Sequence, residues 1–169
     1  DRLGHRVGIH VVDVAVVINL IVGRLTPSEA RLLFEPLPVL FTRVFVRTSG
    51  GKGLHVVTPL AYGARDKVTW KEAKAFAQGV CQWMANENPE RYLLNMSKKL
   101  RKGRIFLDYL RNDRMATAVA VLSPRVRDGA TVSMPLTWAQ VRGDLDPRRY
   151  TVRTVPALLA KTKAWQGYD

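Results

Sequence analysis

The sequence predicts one α/β (α+β) domain in which a mixed or antiparallel sheet is flanked by helices. Short β-branched runs at 44–46 and 56–57 are typical of strands, and the spacing of apolar residues after Thr69 is typical of a helix. The 169 residues, 47% of them apolar, are enough for one core. No repeat, low-complexity tract or linker divides the sequence, so residues 1–169 are expected to form a single domain.

The first half of the sequence predicts a strand, a helix and a pair of strands. A valine-rich run at 9–17 indicates a buried strand. The tetrapeptide 26–29, Thr-Pro-Ser-Glu, is typical of a helix start because it offers a capping hydroxyl, a proline and a glutamate in the first turn. This helix should end near Glu35, where prolines follow. Strands at 43–47 and 54–58 then flank a glycine-rich turn.

The second half predicts a long helix followed by shorter elements. Thr69 and Glu72 are spaced as a capping box, which begins a helix that runs to about Asn86. Its apolar residues recur at helical spacing and are predicted to face the core: Trp70, Ala73, Phe76, Ala77, Val80 and Met84. The remaining predictions are a basic helix or loop at 89–102, neighbouring antiparallel strands at 104–109 and 117–122, a capping box at 137–140, a strand at 150–155 and a short helix at 158–163.

The net charge of the chain predicts a polyanionic partner. There are 27 Lys and Arg residues and 14 Asp and Glu residues, which give a formal charge of +13. An excess of this size favours nucleic acid through contacts with phosphate, whereas the alternative is a solvated basic surface without function. The excess is concentrated between 91 and 127, where there are ten basic residues and two acidic ones. Its densest part either follows a nucleic-acid backbone or is a solvated face, and it consists of Lys98, Lys99, Arg101, Lys102 and Arg104.

A single cysteine, Cys81, excludes a disulfide framework and a thiolate zinc site. We expect it to be buried and reduced, which fits a cytoplasmic, nucleoid-associated protein. The apolar stretch 8–22 is too short to cross a bilayer and contains Asp13 and Asn19, so no membrane partner is expected. Because the chain begins with Asp1 and not Met, we expect a fragment of a longer protein.

The glycine-rich turn at 48–55, Thr-Ser-Gly-Gly-Lys-Gly-Leu-His, is the strongest sequence indication of a phosphate site. Its glycines let a ligand approach the main chain, and Ser49, Lys52 and His55 are placed to converge on a triphosphate. The spacing is not that of a P-loop, which requires Ser or Thr directly after the lysine. The alternative interpretation is a tight hairpin with a solvated lysine and a packed histidine.

Two aspartates on predicted strands suggest a metal site beside this turn. Asp108 ends the apolar run Ile-Phe-Leu, where a buried carboxylate is costly unless it is paired or binds a cation. Asp13 is the one other aspartate in a comparable strand context. Carboxylates from two strands beside a phosphate turn and a basic face are typical of a metal-dependent nucleotidyltransferase. We therefore predict that Asp13 and Asp108 are catalytic metal ligands for a divalent cation.

Several segments, in one order, carry a resemblance to a known family. They include the turn at 48–55, Ile-Phe-Leu-Asp-Tyr-Leu-Arg-Asn at 105–112, Ser-Pro-Arg at 123–125 and Val-Ser-Met-Pro-Leu-Thr-Trp at 132–138. The chain resembles the polymerase domain of bacterial DNA ligase D, which belongs to the archaeo-eukaryotic primase superfamily. The resemblance covers the chain from about Val44 onward, whereas 1–43 diverges, so the chain is expected to be the carboxy-terminal, catalytic part of such a domain.

This resemblance implies a template-directed nucleotidyltransferase that adds NTPs or dNTPs at DNA ends and gaps in non-homologous end joining. It implies Mn²⁺ or Mg²⁺ as cofactor, and ligase and nuclease modules and Ku as partners. The serine, lysine and histidine of the family's glycine turn match Ser49, Lys52 and His55 and bind the phosphates of the nucleotide. Arginines matching Arg111 and Arg125 are expected near the triphosphate.

The family has three acidic metal ligands, and this sequence departs from that pattern. Asp108 matches the third ligand, while the first two form an Asp-x-Asp motif on an early strand. Asp13 matches the first of these, but Ala15 then stands in place of the second. The family's amino-terminal part, which binds the template and a 5′-phosphate, also has no counterpart. We therefore expect an impaired polymerase. The alternatives are a non-catalytic nucleic-acid-binding remnant and a basic structural protein of a ribonucleoprotein, which would leave the glycine turn unexplained.

Overall fold

A computed structural model describes residues 15–21, 44–59, 68–166 and 168 of the chain. In this part of the chain six strands form one sheet with the order β4-β5-β1-β3-β2-β6. All neighbouring strands are antiparallel except β4 and β5, so the sheet is mixed, as predicted. The strands are β1 (Ala15–Ile21), β2 (Phe45–Thr48), β3 (Leu54–Pro59), β4 (Tyr92–Leu93), β5 (Ile105–Asp108) and β6 (Pro135–Leu136), and the helices are α1 (Trp70–Glu87) and α2 (Val155–Leu159).

The two faces of the sheet differ in chemistry because successive residues of a strand point to opposite sides. Val46, Val56 and Leu107 belong to one face and join the buried cluster to which α1 contributes. The other face carries a cross-strand row that includes His55 and Asp108. The helix therefore covers the apolar face, and the polar row lies on the opposite one.

Helix α1 begins at the predicted capping box. Thr69 Oγ1 accepts a hydrogen bond from Glu72 N at 3.2 Å, and Glu72 Oε2 accepts one from Thr69 N at 2.8 Å. The thiol of Cys81 is buried, and burial, followed by the charge of Asp108, raises its pKa to about 12. The residues that α1 buries lie on one stripe: Ala73, Ala77, Val80, Cys81 and Met84.

The prediction that the helix's aromatic residues belong to the core is wrong. Trp70 is 42% exposed and Phe76 is 39% exposed. The buried stripe advances by three or four residues from Ala73, and Phe76 lies to one side of it because the next stripe position is Ala77.

Two of the predicted strands are absent, and two short strands were not predicted. Residues 117–122 are irregular, because the Val119 carbonyl accepts a hydrogen bond from Arg47 and Leu122 has a positive φ of 61°. The neighbours of β5 are instead β1 and β4. In 150–155 only Thr151 forms an isolated bridge, and α2 begins at Val155, so the predicted helix at 158–163 overlaps it by only two residues. Strands β4 and β6 have two residues each and show no periodicity.

The other predicted elements agree with the structure where it describes them. Strands β2 and β3 flank the glycine turn, and short 3₁₀ helices lie at Lys98–Arg101 and Trp138–Gln140, the second with the predicted capping box. Part of the predicted strand at 9–17 and the whole helix at 26–35 lie outside the described residues. Strand β1 continues past residue 17 to Ile21.

An aromatic cluster joins distant parts of the sequence at the beginning of β2. The ring centroids of Phe45 and Tyr168 lie 5.0 Å apart, and those of Trp165 and Tyr168 lie 4.5 Å apart. Trp165 also donates a hydrogen bond from Nε1 to the carbonyl of Val46 at 2.8 Å. Within the described residues, no helix has the length and apolarity needed to cross a bilayer.

The capping box supports a stability prediction. Replacing Thr69 with Ala removes the acceptor for Glu72 N, and we expect the free energy of unfolding to fall by about 1 kcal/mol in urea titrations. Ser97 is the matched control, because it precedes the 3₁₀ helix Lys98–Arg101 without a capping side-chain hydrogen bond. Ser97→Ala should change stability by less than about 0.5 kcal/mol. Equal losses in the two variants would contradict this account of the cap.

Candidate nucleotide-binding site

The glycine turn between β2 and β3 is closed by its own backbone. Ser49 N donates to the Gly53 carbonyl at 2.9 Å, and Gly53 N donates to Ser49 Oγ at 3.3 Å. Gly50 has a φ of +62°, a conformation that favours glycine, and its carbonyl accepts from Thr131 Oγ1 at 2.7 Å. Ser49 is buried and Lys52 is exposed. The turn therefore has a fixed shape, with its lysine in solvent.

Two arginines of the segment 122–133 lie against this turn. Arg125 Nη1 donates to the Ser49 carbonyl at 3.4 Å, and a Cβ added to Gly50 would lie 2.9 Å from Arg125 Cγ. A Cβ added to Gly51 would lie 3.1 Å from Nη1 of Arg127. The glycines thus make room for two guanidinium groups. Arg125 was predicted; Arg127 was not, although its spacing of two residues from Arg125 offered a signal.

A row of cross-strand neighbours runs over the face of the sheet opposite α1. Asp108 on β5 is in register with Asn19 on β1, Asn19 with His55 on β3, and His55 with Arg47 on β2. Residues in register lie about 5 Å apart on the same face. The fold therefore brings His55 near Asp108 and adds Arg47, which the sequence analysis missed.

The β1 residue in register with Asp108 is Asn19, and not the aspartate expected to bind metal together with Asp108. Ala15 is in register with Pro59 and lies four residues before Asn19, or about 13 Å along the strand. Asp13 lies outside the described residues, so its role stays a prediction. The described part of β1 reads Ala-Val-Val-Ile-Asn-Leu-Ile and contains no carboxylate.

His55 is a neutral imidazole at pH 7. Its side chain is 4% exposed, and burial, followed by the charges of Arg47, Arg125 and Arg111, lowers its pKa to about 3. Its Nδ1 atom is buried and has no hydrogen-bond partner among the described residues. Three guanidinium groups from separate segments therefore act on this one side chain.

Arg47 is buried in the same row. Its Nη1 atom donates to the Val119 carbonyl at 2.7 Å and to Ser133 Oγ at 2.9 Å. Ser133 Oγ in turn donates to the Thr48 carbonyl at 2.8 Å. Burial lowers the pKa of Arg47 to about 10, so the guanidinium remains charged at pH 7. The only sequence signal for Arg47 was an arginine placed inside an otherwise apolar strand.

Asp108 is the carboxylate that the described structure brings to this site. It is 7% exposed; its Oδ1 accepts from Leu110 N at 3.0 Å, and its Oδ2 lies 3.7 Å from Arg111 Nε. Arg111 is half exposed and donates from Nη1 to the Thr117 carbonyl at 3.0 Å. No group of three His, Cys, Asp or Glu residues that could hold a metal occurs in the described parts of the chain.

The basic run before β5 divides into two kinds of residue. Arg101 and Arg104 donate to the nearby carbonyls of Met96 and Leu100, at 2.6 and 3.0 Å. The Arg101 guanidinium also lies 4.1 Å from the ring centroid of Phe106, which shares the sheet face of Asp108. These contacts place Arg101 on the same side of the sheet as the polar row. The remaining members are exposed lysines: Lys98, Lys99 and Lys102.

Comparison with protein-family models shows the class of protein to which this chain belongs. A family model described as the primase-polymerase domain of LigD matches residues 27–165. The class is therefore that of polymerase-type nucleotidyltransferase domains. The chain belongs to the LigD primase-polymerase domain family. The match begins at residue 27 and so includes part of the stretch 1–43 that the sequence analysis set apart as divergent.

Individual relatives agree with this assignment. The multifunctional non-homologous end joining protein LigD of Pseudomonas aeruginosa is 37% identical over 144 residues, which are 83% of this chain and 17% of that protein. The bifunctional non-homologous end joining protein LigD of Bacillus subtilis is 31% identical over 111 residues, or 66% of this chain and 18% of that protein. The chain thus spans under a fifth of the length of these relatives.

A solved structure shares the fold. The polymerase domain of Mycobacterium tuberculosis ligase D, in complex with DNA, matches with a TM-score of 0.76 and 29% sequence identity. The match covers 89% of this chain and 52% of that one. This confirms the predicted fold class and the predicted family.

Replacing Gly50 or Gly79 with alanine should change the free energy of unfolding in opposite directions. Gly50→Ala should lower the free energy of unfolding by about 1–2 kcal/mol, because φ is positive and the new Cβ meets Arg125. Gly79→Ala should raise it by about 0.5–1 kcal/mol, because Gly79 lies inside α1 with open space around it. Urea denaturation of both variants measures the difference. A tolerated alanine at Gly50 would contradict the described turn.

The low pKa of His55 predicts a specific loss of stability in acid. The folded protein holds this group neutral, whereas the unfolded chain binds a proton below about pH 6.5, so stability falls as the pH drops from 6.5 toward 3. Between pH 7.5 and 5 we expect a loss of about 2 kcal/mol from this group. His55→Gln should lack that part of the pH dependence in urea titrations. Parallel pH profiles of wild type and variant would refute the assignment.

Proposed function

We propose that this chain binds the triphosphate of an incoming nucleotide at the glycine turn and transfers the nucleotide to a DNA 3′ end in non-homologous end joining, with reduced activity. The observation that carries this proposal is that Arg47 is in register with His55, Arg125 lies against the glycine turn and Arg111 lies beside Asp108, so that three guanidinium groups act on the buried imidazole. Three cations with one nearby carboxylate favour a polyanionic ligand. The alternative, a tight hairpin with only a structural role, does not explain why three arginines lie around His55.

The proposed roles follow from where each group lies. Ser49 and Lys52 would hold the phosphates at the turn, as a hydroxyl donor and a mobile charge. Arg125, against the Ser49 carbonyl, and Arg111, beside Asp108, would bind from the two sides. His55 would donate one hydrogen bond as a neutral imidazole. In the reaction, a primer 3′-hydroxyl attacks the α-phosphorus, the bond to the β-phosphate breaks, and pyrophosphate leaves as the hydroxyl proton is lost to solvent.

Asp108 fits one part of the expected metal chemistry. A divalent cation such as Mg²⁺ or Mn²⁺ is commonly held by one or two carboxylates together with the phosphates of the substrate. Asp108 Oδ2 accepts no hydrogen bond from a described residue and lies 3.7 Å from Arg111 Nε, so this oxygen is available to a cation. Such an ion would supply charge stabilisation at the reacting phosphate. A second ion needs further carboxylates, and the described part of β1 supplies none.

The reduced activity is proposed from the composition of β1. The β1 residue in register with Asp108 is Asn19, which has an uncharged amide side chain. None of the described residues of β1 is acidic. Loss of one preorganised charge from a reacting centre typically lowers the rate by about 10²–10³-fold. The same observation favours the second candidate, a remnant that binds nucleotide and nucleic acid without turnover.

Nucleic-acid binding is proposed from charge and from likeness. The exposed lysines Lys98, Lys99 and Lys102 precede β5, and Arg101 lies on the site face. The ligase D polymerase domain that shares this fold was solved with DNA. The relatives are named for non-homologous end joining, which supports gapped duplexes or DNA ends as substrate and Ku, ligase and nuclease modules as partners.

Primer extension on a gapped duplex with Mn²⁺ and labelled nucleotides tests the proposal. We expect slow incorporation by the wild-type chain and a further loss of about 100-fold or more in Asp108→Asn, which keeps the shape but removes the charge. Asp144→Asn is the matched control, because Asp144 is exposed and makes no ion pair or hydrogen bond among the described residues. It should leave incorporation unchanged.

Carboxylates restored on β1 distinguish the two candidates. Val17→Asp together with Asn19→Asp places an Asp-x-Asp beside Asp108 and should raise incorporation. Ala15→Asp adds a single carboxylate to the same strand, four residues from Asn19, and should not raise incorporation. A gain confined to the first variant supports an impaired enzyme. No gain, with nucleotide and DNA still bound, supports the remnant, and a gain in Ala15→Asp alone would overturn the register argument.

A further inference from the structure

Arg47 is a buried cation that the described part of the chain leaves without a carboxylate. Its side chain is 5% exposed, and the ion pairs among described residues join other groups. Its two hydrogen-bond acceptors, the Val119 carbonyl and Ser133 Oγ, are neutral. Burying a guanidinium among neutral acceptors is costly. The site face of the sheet therefore contains a buried guanidinium that forms no ion pair with any described residue.

Arg47 has a donor, Nε, that makes no hydrogen bond with any described residue. It lies on a different edge of the guanidinium from Nη1, which bonds Val119 and Ser133. Nη1 makes both hydrogen bonds, whereas Nε is buried and has no partner among the described residues. A purely structural arginine at this position would need Nη1 alone. The planar fork permits one edge to fix the protein and the other to meet a ligand.

His55 carries a second unpartnered nitrogen beside it. His55 and Arg47 are cross-strand partners in register, so their Cβ atoms lie about 5 Å apart on one face. His55 Nδ1 is also buried without a partner in the described structure. Among the three arginines that depress the basicity of His55, Arg47 has the largest effect. The two unpartnered atoms therefore belong to adjacent side chains, next to the glycine turn.

We propose that Arg47 and His55 form an inner anion subsite that takes one phosphate group of the bound triphosphate. Arg47 Nε and the Nδ1–H tautomer of His55 would each donate to a phosphate oxygen, and the phosphate would offset the buried guanidinium charge. The identity of the anion rests on the proposed function. The subsite differs from the outer contacts, because Lys52 and Arg125 are exposed whereas Arg47 and His55 are buried.

Calorimetric titration of the whole chain with tripolyphosphate, and separately with ATP, tests the subsite. Arg47→Met keeps the length of the side chain but removes the charge, and it should weaken tripolyphosphate binding about tenfold or more. Arg47→Lys keeps the charge but loses Nε, and its affinity should fall between those of Arg47→Met and wild type. Arg153→Met, which removes an exposed arginine, is the control and should bind as wild type does. A folded Arg47→Met with wild-type affinity would overturn the proposal.

NMR titration of His55 gives a readout that a structural role would not move. Tripolyphosphate should raise the pKa of His55 in the wild-type chain, because the anion offsets the neighbouring guanidinium groups. This measurement decides the question even if Arg47→Met fails to fold: an unchanged His55 titration on saturation refutes the subsite. Tripolyphosphate binding without nucleotide transfer would refute the proposed function alone, whereas transfer without any Arg47 effect would refute the subsite alone.

Discussion

The antiparallel register of β1 with β3 and β5 is the constraint on which the rest of the site depends. It aligns Asp108, Asn19, His55 and Arg47 in one row, although these residues come from four separate strands. A slip of one residue would turn every member of a strand to the other face. The apolar contacts of Leu107 and Val56 with the cluster beneath α1 prevent that slip. Packing on one face thus fixes the chemistry on the other.

The electrostatics of the site follow from this arrangement. The row places an imidazole and a guanidinium side by side in a buried position, where burial disfavours the charged form of both groups and the neighbouring guanidinium further disfavours a charged imidazole. The arginine keeps its proton because its ordinary pKa is much higher, and the histidine loses its own. The result is a cationic surface that contains a neutral donor. A ligand with several negative oxygens would satisfy both kinds of group.

The sequence predicted the parts of the fold and site that have local signals. The glycine turn, the helix after Thr69 and the strand that ends at Asp108 were all found by periodicity, capping or composition. The prediction of a strand at 117–122 was wrong because the Val119 carbonyl accepts a hydrogen bond from Arg47. No local sequence pattern indicates a partner 72 residues away. Arg47 itself was missed for the same reason. Its importance lies in the register between β2 and β3, which sequence spacing does not encode.

The aromatic cluster at β2 has a consequence for the order in which the protein can fold. Trp165 and Tyr168 pack on Phe45, and Trp165 Nε1 donates a hydrogen bond to the Val46 carbonyl across 119 residues of chain. Contacts with such a long sequence separation form late, since the entropy of closing the loop is lost before the contact contributes. During synthesis on the ribosome, the first residues of β2, Phe45 and Val46, would lack these aromatic contacts until residue 168 has emerged. The beginning of the strand that carries Arg47 is therefore completed by contacts from the last residues that the structure describes.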